Sequence, residues 1–200
     1  MRYSIVGTGN VGRALAGHFA RQQIEVAIAN SRGPASIADL VKELGPSIIA
    51  TTLDAALDAD VIFFAVGFLQ FKDIAAARTD WSGKIVIDAT NAFMLPPDVQ
   101  EKELRGRLSS EVNADRLPGA KLVKAFNQLP AKVLASPPPN NHGRRVIFIS
   151  SDHGDASAEV AALAERLGFA PIEVGKIAEG GRLIQARGPL VLQNLVKYEQ

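Results

Sequence analysis

At its very start the chain runs from Arg2-Tyr3-Ser4-Ile5-Val6 into Gly7-Thr8-Gly9-Asn10-Val11-Gly12, a G-x-G-x-x-G turn between a strand-like run and a stretch of helical period. Each glycine has its own physical task in such a turn. Gly7 permits the tight exit from the strand, Gly9 lets backbone N–H groups approach a pyrophosphate, and Gly12 lets the helix lie against the strand. The helix N-terminus adds unpaired donors and the positive end of its dipole, which stabilises negative charge. A glycine turn that binds nothing is the competing reading. The strand–turn–helix context favours a dinucleotide site.

The rest of the chain repeats this alternation. Further strands are expected at Glu25 to Ala29, Ile48 to Ala50, Val61 to Val66, Lys84 to Asp88, Lys121 to Lys124, Arg145 to Ile149 and Ala170 to Val174. Between them lie helices: Val11 to about Gln22, one capped by Ser36 and running through Leu40 and Leu44, Asp54 to Asp60, and Ala156 to Leu167. Val61-Ile62-Phe63-Phe64-Ala65-Val66 is apolar at successive positions, as a strand buried on both faces requires, which places it centrally. The pattern predicts an α/β fold, a Rossmann-type doubly wound, mostly parallel sheet of about eight strands. Residues 1–200 read as a single NADP-binding domain, with 177–200 as a C-terminal packing or dimerisation segment. Asn91 to about Arg107 and Ser136 to Gly143 read as long loops.

The end of the second strand selects the dinucleotide. An acid there would accept hydrogen bonds from the adenosine ribose of NAD. Asn30-Ser31-Arg32 stands in its place, and Arg32 with Ser31 can hold a 2′-phosphate that an acid would repel, so the cofactor expected is NADP(H). A plain polar turn before Gly33-Pro34 is the alternative. Ligands of such sheets lie beyond the strand ends, where Ala65 and Val66 are small enough to admit a ribose and where Asp88, Asn91, Lys124 and Asn127 gather. Asp88 and Lys124 read as a buried bridge across neighbouring strands, Asn91 and Asn127 as cofactor contacts or loop ties. Phe68 and Phe71 either wall the pocket or cover the sheet. His18 reads as a packing residue, His142 and His153 as solvated ones.

Composition narrows the chemistry. The 200 residues carry 22 basic and 21 acidic side chains, a net charge of +1 with no dense basic cluster, so neither nucleic acid nor an anionic membrane is an expected partner. The longest apolar run, Val61 to Leu69, is far short of the roughly 18 residues of a spanning helix, and no export signal is read at the N-terminus, so the expected location is cytoplasmic. Without cysteine there is no thiolate nucleophile or zinc–sulfur site, and three scattered histidines build no metal site. Chemistry must come from a bound cofactor or from Ser, Asp, Glu, Lys and Arg side chains.

Together these segments, with Asp88-Ala89-Thr90-Asn91, Leu117-Pro118-Gly119-Ala120, Val123-Lys124-Ala125-Phe126-Asn127 and Glu179-Gly180-Gly181-Arg182-Leu183, resemble the short members of the deazaflavin-dependent NADP oxidoreductase family. The pattern is also similar to the NADPH-binding domain of the six-transmembrane epithelial antigen metalloreductases. The resemblance implies that Thr8 to Val11 hold NADP, that Ser31 and Arg32 hold its 2′-phosphate, and that Val66, Asn91 and Ala125 lie near the nicotinamide. It implies direct hydride transfer to or from a stacked flavin-like ring, deazaflavin coenzyme F420 or a flavin, with no catalytic acid, base or metal. Gln128, where the family commonly has Thr, and Gly67-Phe68, where it often has Pro and an aromatic, are expected beside the pocket for the second ring. A reductase of hydroxyacids or imines would generally need a helical second domain, for which too little chain follows Val174. A non-catalytic NADPH-binding sensor is the reading from another class. The apolar side chains from Leu183 to Val196 need cover, as a lid or from a second subunit, and a homodimer is expected.

Overall fold

The computed structural model describes residues 1–93, 95–136 and 143–198. The chain begins β1 (Tyr3–Val6), α1 (Asn10–Arg21), β2 (Val26–Ala29), α2 (Ala38–Leu44), β3 (Ile48–Ala50), α3 (Leu53–Leu57), β4 (Val61–Phe64) and α4 (Phe68–Ala75). It continues β5 (Ile85–Asp88), α5 (Pro97–Leu104), α6 (Ser109–Asp115), β6 (Lys121–Ala125), α7 (Ala131–Ala135), β7 (Gly143–Ser151), α8 (Gly154–Arg166) and β8 (Phe169–Glu173), then α9 (Arg182–Ile184) and β9 (Val196–Tyr198). One sheet runs β3-β2-β1-β4-β5-β6-β7-β8. Its first six strands are parallel, β7 runs antiparallel to β6, and β8 runs parallel to β7. The chain therefore reverses direction across the sheet beside β1, and the carboxyl ends of β1 and β4 open the crevice where such folds take ligands.

The core explains the unbroken apolar run of β4. Val61 and Phe63 face a cluster under α1 and α8, while Ile62 and Phe64 face a second cluster under α3 and α4. Phe19, Phe63, Phe126 and Phe169 form a chain of tilted and edge-on rings at 5.5–5.7 Å between neighbours. This geometry adds stabilisation beyond the area buried. Phe126 adopts φ +61 at the end of β6, and its ring is fully buried in that chain. A left-handed turn at a bulky residue is costly, so the aromatic contacts hold it.

His18 is a packing residue, as its helical position predicts. Its ring lies 4.3 Å from that of Phe169, with Nε2 2.7 Å from the Leu134 carbonyl and Nδ1 3.3 Å from that of Leu167. Burial lowers its pKa to about 4, against the raising effect of these carbonyls.

Several local expectations are corrected. Ser36 does not cap a helix: Pro34–Ile37 form a tight 3₁₀ turn, Ile37 precedes α2, and the Ser36 hydroxyl turns back to Asn30 and to the Gly33 carbonyl. The fourth strand ends at Phe64, two residues early, because Gly67 starts α4. That helix buries Phe71 against the sheet and Phe68 against Ala92 and Leu104, and neither ring walls the cleft described below. The expected loop after Asn91 contains α5. Residues 137–142, with the proline run and His142, lie outside the described residues.

The C-terminal segment folds back on its own sheet. β9 pairs antiparallel with Gly143 to Arg145, on the same edge of β7 that β6 uses further along. The Leu192 N–H donates to the Gln128 carbonyl at 2.7 Å, and Asn127 Nδ2 donates to the Ile184 carbonyl at 2.6 Å. Leu192, Leu195 and Tyr198 stay exposed.

Candidate cofactor site

A cleft of about 550 Å³ opens beyond the carboxyl ends of β1, β2 and β4. The first turn (Gly7, Thr8, Gly9), the second (Asn30, Ser31, Arg32) and the end of β4 (Ala65, Val66) all line it. Leu53 from α3 and Gln70, Asp73 and Ile74 from α4 close it opposite. Sequence reading missed these four. For the last three α4 is the reason, since Phe68 to Ile74 had no helical signal distinct from the strand before it, while Leu53 lies one residue before the helix expected from Asp54.

Two of the three motif glycines are required by the protein itself. A Cβ on Gly12 would stand 1.9 Å from the Gly7 carbonyl oxygen, so the helix can approach the strand only without one. Gly7 has φ +113, and a Cβ there would lie 2.3 Å from the Ala65 carbonyl oxygen. Gly9 differs. Its φ is −72, ordinary for any residue, and a Cβ there would meet no protein atom within 4 Å. Nothing in the fold asks for glycine at position 9, but a ligand lying against the turn would.

The donors at this turn are free for such a ligand. The first bond of α1 runs from Arg13 N to Gly9 O, so the N–H groups of Asn10, Val11 and Gly12 have no acceptor within the helix. No side chain caps this end and no acid stands in its first turn. A twelve-residue helix thus points an uncapped, positive N-terminus at the cleft. The Ser31 and Arg32 side chains stand exposed at its rim, and among the described residues the Arg32 guanidinium has no protein partner. The cradle, the open space over Gly9 and the free cation fit a phosphorylated dinucleotide.

Asn30 lines the cleft, and its side-chain amide is bonded to protein. Its Nδ2 lies 3.0 Å from both Thr8 Oγ1 and Ser36 Oγ, and its Oδ1 accepts from Arg32 N at 2.8 Å. Asn91 and Asn127 tie loops together: Asn91 Nδ2 donates to the Asn127 carbonyl at 2.7 Å and Asn127 Nδ2 to Asn91 Oδ1 at 3.0 Å. Neither lines the cleft. Ala125 is fully buried and likewise contributes no cleft surface, and Gln128 is fully buried with its amide on the Val146 carbonyl at 3.0 Å. That corrects the expectation of a Gln128 beside a second-ring pocket. It supports the C-terminal segment instead.

The bridge expected between Asp88 and Lys124 is present. The two residues are register partners on β5 and β6, with Nζ 3.1 Å from Oδ2 and both side chains wholly buried. Asp88 also accepts from Thr90 N at 2.9 Å, Thr90 Oγ1 at 2.7 Å and Asn113 Nδ2 at 3.2 Å, while Lys124 reaches the Thr90 carbonyl. Burial lowers the Lys124 pKa, and the Asp88 charge opposes it. Thr90 meets Asp88 locally, two residues along the chain, whereas Asn113 had no signal in the sequence, for it meets Asp88 only through the fold.

Comparison with known proteins shows the family. A family model described as NADP oxidoreductase coenzyme F420-dependent matches residues 2–92. The F420-dependent NADP reductase of Methanothermobacter thermautotrophicus is 30% identical over 209 residues, an alignment that covers 96% of this chain and 88% of that protein. The metalloreductase STEAP3 of Rattus norvegicus is 28% identical over 88% of this chain, but the chain spans only 34% of that protein's length. The crystal structure of a hypothetical protein from Sinorhizobium meliloti is similar throughout, with a TM-score of 0.92, 46% identity and coverage of 98% of this chain and 96% of that one. Among the described residues no helix is long and apolar enough to cross a membrane.

Proposed function

Because the chain belongs to the coenzyme F420-dependent NADP oxidoreductase family, we propose that it moves a hydride between NADP(H) and a flavin-like ring, a deazaflavin in preference to a flavin. The observation that carries this reading is the uncapped N-terminus of α1 facing a cleft with Arg32 free at its rim. When bound, NADPH supplies the hydride at its nicotinamide ring. The protein's part is to bind and orient. The N–H groups of Asn10, Val11 and Gly12 take the pyrophosphate, Ser31 and Arg32 take the 2′-phosphate, and Leu53 and Ile74 offer apolar walls for the adenine. Ala65 and Val66 give the ribose and nicotinamide a flat bed at the end of β4. The tie between Asn91, Asn127 and the Ile184 carbonyl holds β5, β6 and the C-terminal segment in one arrangement beside it. Holding two rings in near-attack geometry can by itself lower a barrier by several kcal/mol, which suits a cleft whose one titratable wall residue besides Arg32 is Asp73.

NADPH consumption with oxidised deazaflavin, FMN, FAD and a ferric chelate offered in parallel tests the reading. Turnover with the deazaflavin alone is expected. Preference for the ferric chelate would move the chain toward the metalloreductases, and tight NADPH binding without turnover would favour a sensor. Arg32→Ala should weaken NADPH binding by about tenfold or more, the value of a charge-assisted contact, with NADH binding nearly unchanged. Equal losses for the two would sink the assignment of the 2′-phosphate. We also place a homodimer contact on the exposed surface of Leu192, Leu195 and Tyr198, to be read as a sedimentation mass of twice the chain at micromolar concentration.

A further inference from the structure

The reach of the Asn30 side chain exceeds what a ligand contact would need. Asn30 follows the last residue of β2, and the Gly7 N–H donates to the Ala29 carbonyl at 2.8 Å, so the first and second turns leave the sheet side by side. Across that junction the Asn30 amide spends its bonding capacity on protein. Its two N–H groups face Thr8 Oγ1 and Ser36 Oγ, both at 3.0 Å. Its oxygen accepts from Arg32 N at 2.8 Å and lies 3.1 Å from Ser36 Oγ. The single Ser36 proton has a second acceptor in the Gly33 carbonyl at 2.8 Å, so Ser36 braces Asn30 and the turn together. Little of the amide is left for a ligand.

What the amide joins is informative. Thr8 belongs to the turn that cradles the pyrophosphate, and Arg32 is the free cation at the rim. In NADPH the pyrophosphate and the 2′-phosphate hang from one ribose, so their separation is set by covalent geometry. Two anion subsites on independent turns would have to be brought to that separation on binding, at an entropic cost that a prior tie removes.

We propose that Asn30, braced by Ser36, is a positioning residue that locks the two phosphate turns at the spacing of a 2′-phosphorylated dinucleotide, so that the preference for NADPH over NADH depends on Asn30 as well as on Arg32. The inference rests on the NADP(H) reading above. It assigns Asn30 an indirect part in specificity and Ser36 a part where none was expected.

The test is a cycle of binding measurements on the full chain with NADPH, NADH and adenosine 2′,5′-bisphosphate, which carries the 2′-phosphate without a nicotinamide. Asn30→Ala should weaken NADPH and the bisphosphate by about fivefold to tenfold, the worth of about one net hydrogen bond, and NADH by about twofold. In an Arg32→Ala background the same change should weaken NADPH and NADH equally, because the cation that Asn30 positions is gone. Ser36→Ala should act in the same direction by a smaller factor, which keeps the test open if Asn30→Ala fails to fold. An NADPH-to-NADH ratio within twofold of the wild type for both variants overturns the proposal, as does an effect of equal size in both backgrounds. If the wild-type chain binds none of the three ligands, the cofactor reading itself falls, and the inference with it.

Discussion

Gly9→Val is expected to leave the protein folded and to reduce its affinity for NADPH by about a hundredfold, close to 2.7 kcal/mol. The two halves of this outcome have separate causes. The backbone at position 9, with φ −72 and ψ −172, suits a β-branched residue, and the new side chain meets no protein atom near its Cβ. The cost to the fold is limited to the poorer helix cap, on the order of 1 kcal/mol. The side chain instead occupies the space through which a pyrophosphate would reach the N–H groups of Asn10 to Gly12, and NADH should be excluded as strongly as NADPH. Gly12→Ala makes the contrast. Its Cβ would sit 1.9 Å from the Gly7 carbonyl oxygen, so α1 must leave β1 and stability is lost before binding is measured. A melting temperature beside a fluorescence titration for each variant checks both statements. Wild-type NADPH affinity in folded Gly9→Val would mean that the turn is only structural.

Lys124→Met should cost about 3–5 kcal/mol of unfolding free energy. Methionine fills nearly the same volume, so packing changes little. The loss is electrostatic. The Asp88 carboxylate would remain wholly buried with Thr90 and Asn113 as neutral donors and no cation, and the Thr90 carbonyl would lose a partner. Urea denaturation monitored at the buried Trp81 reads the change. Replacing both members, with Asp88→Asn added to Lys124→Met, removes the uncompensated charge and should recover a large part of the loss while keeping the Thr90 contacts. A single variant as stable as the wild type would show that the pair carries no charge interaction worth its burial.

The Asp88–Lys124 pair also marks how far sequence reading reaches. Two charged residues at the ends of strands expected to be neighbours can be matched without coordinates, because parallel register places equivalent positions opposite each other. The same holds for β1 to β6 and for the first glycine turn, whose periodicity and spacing are local properties of the chain. α4 was illegible because Phe68-Leu69 continues the apolar run of β4. Its helix follows from Gly67 and from the cover it gives Phe64 and Trp81.

The residues of the site divide in the same way. The sequence by itself determined the doubly wound class, the glycine turn between β1 and α1 and the cation in place of an acid after β2, since each depends on residues within a few positions of one another. Only the tertiary structure decided that Gly9 alone of the three glycines has open space where a Cβ would stand, that Ala125 is buried, and that Asn30, Asn91 and Asn127 spend their amides on the protein. β9 and its place on β7 belong to that second group. Hydrogen-bond partners and steric neighbours far apart in the chain are set by how elements pack, and nothing in the spacing of residues along one strand or helix encodes which distant carbonyl or hydroxyl will stand within 3 Å.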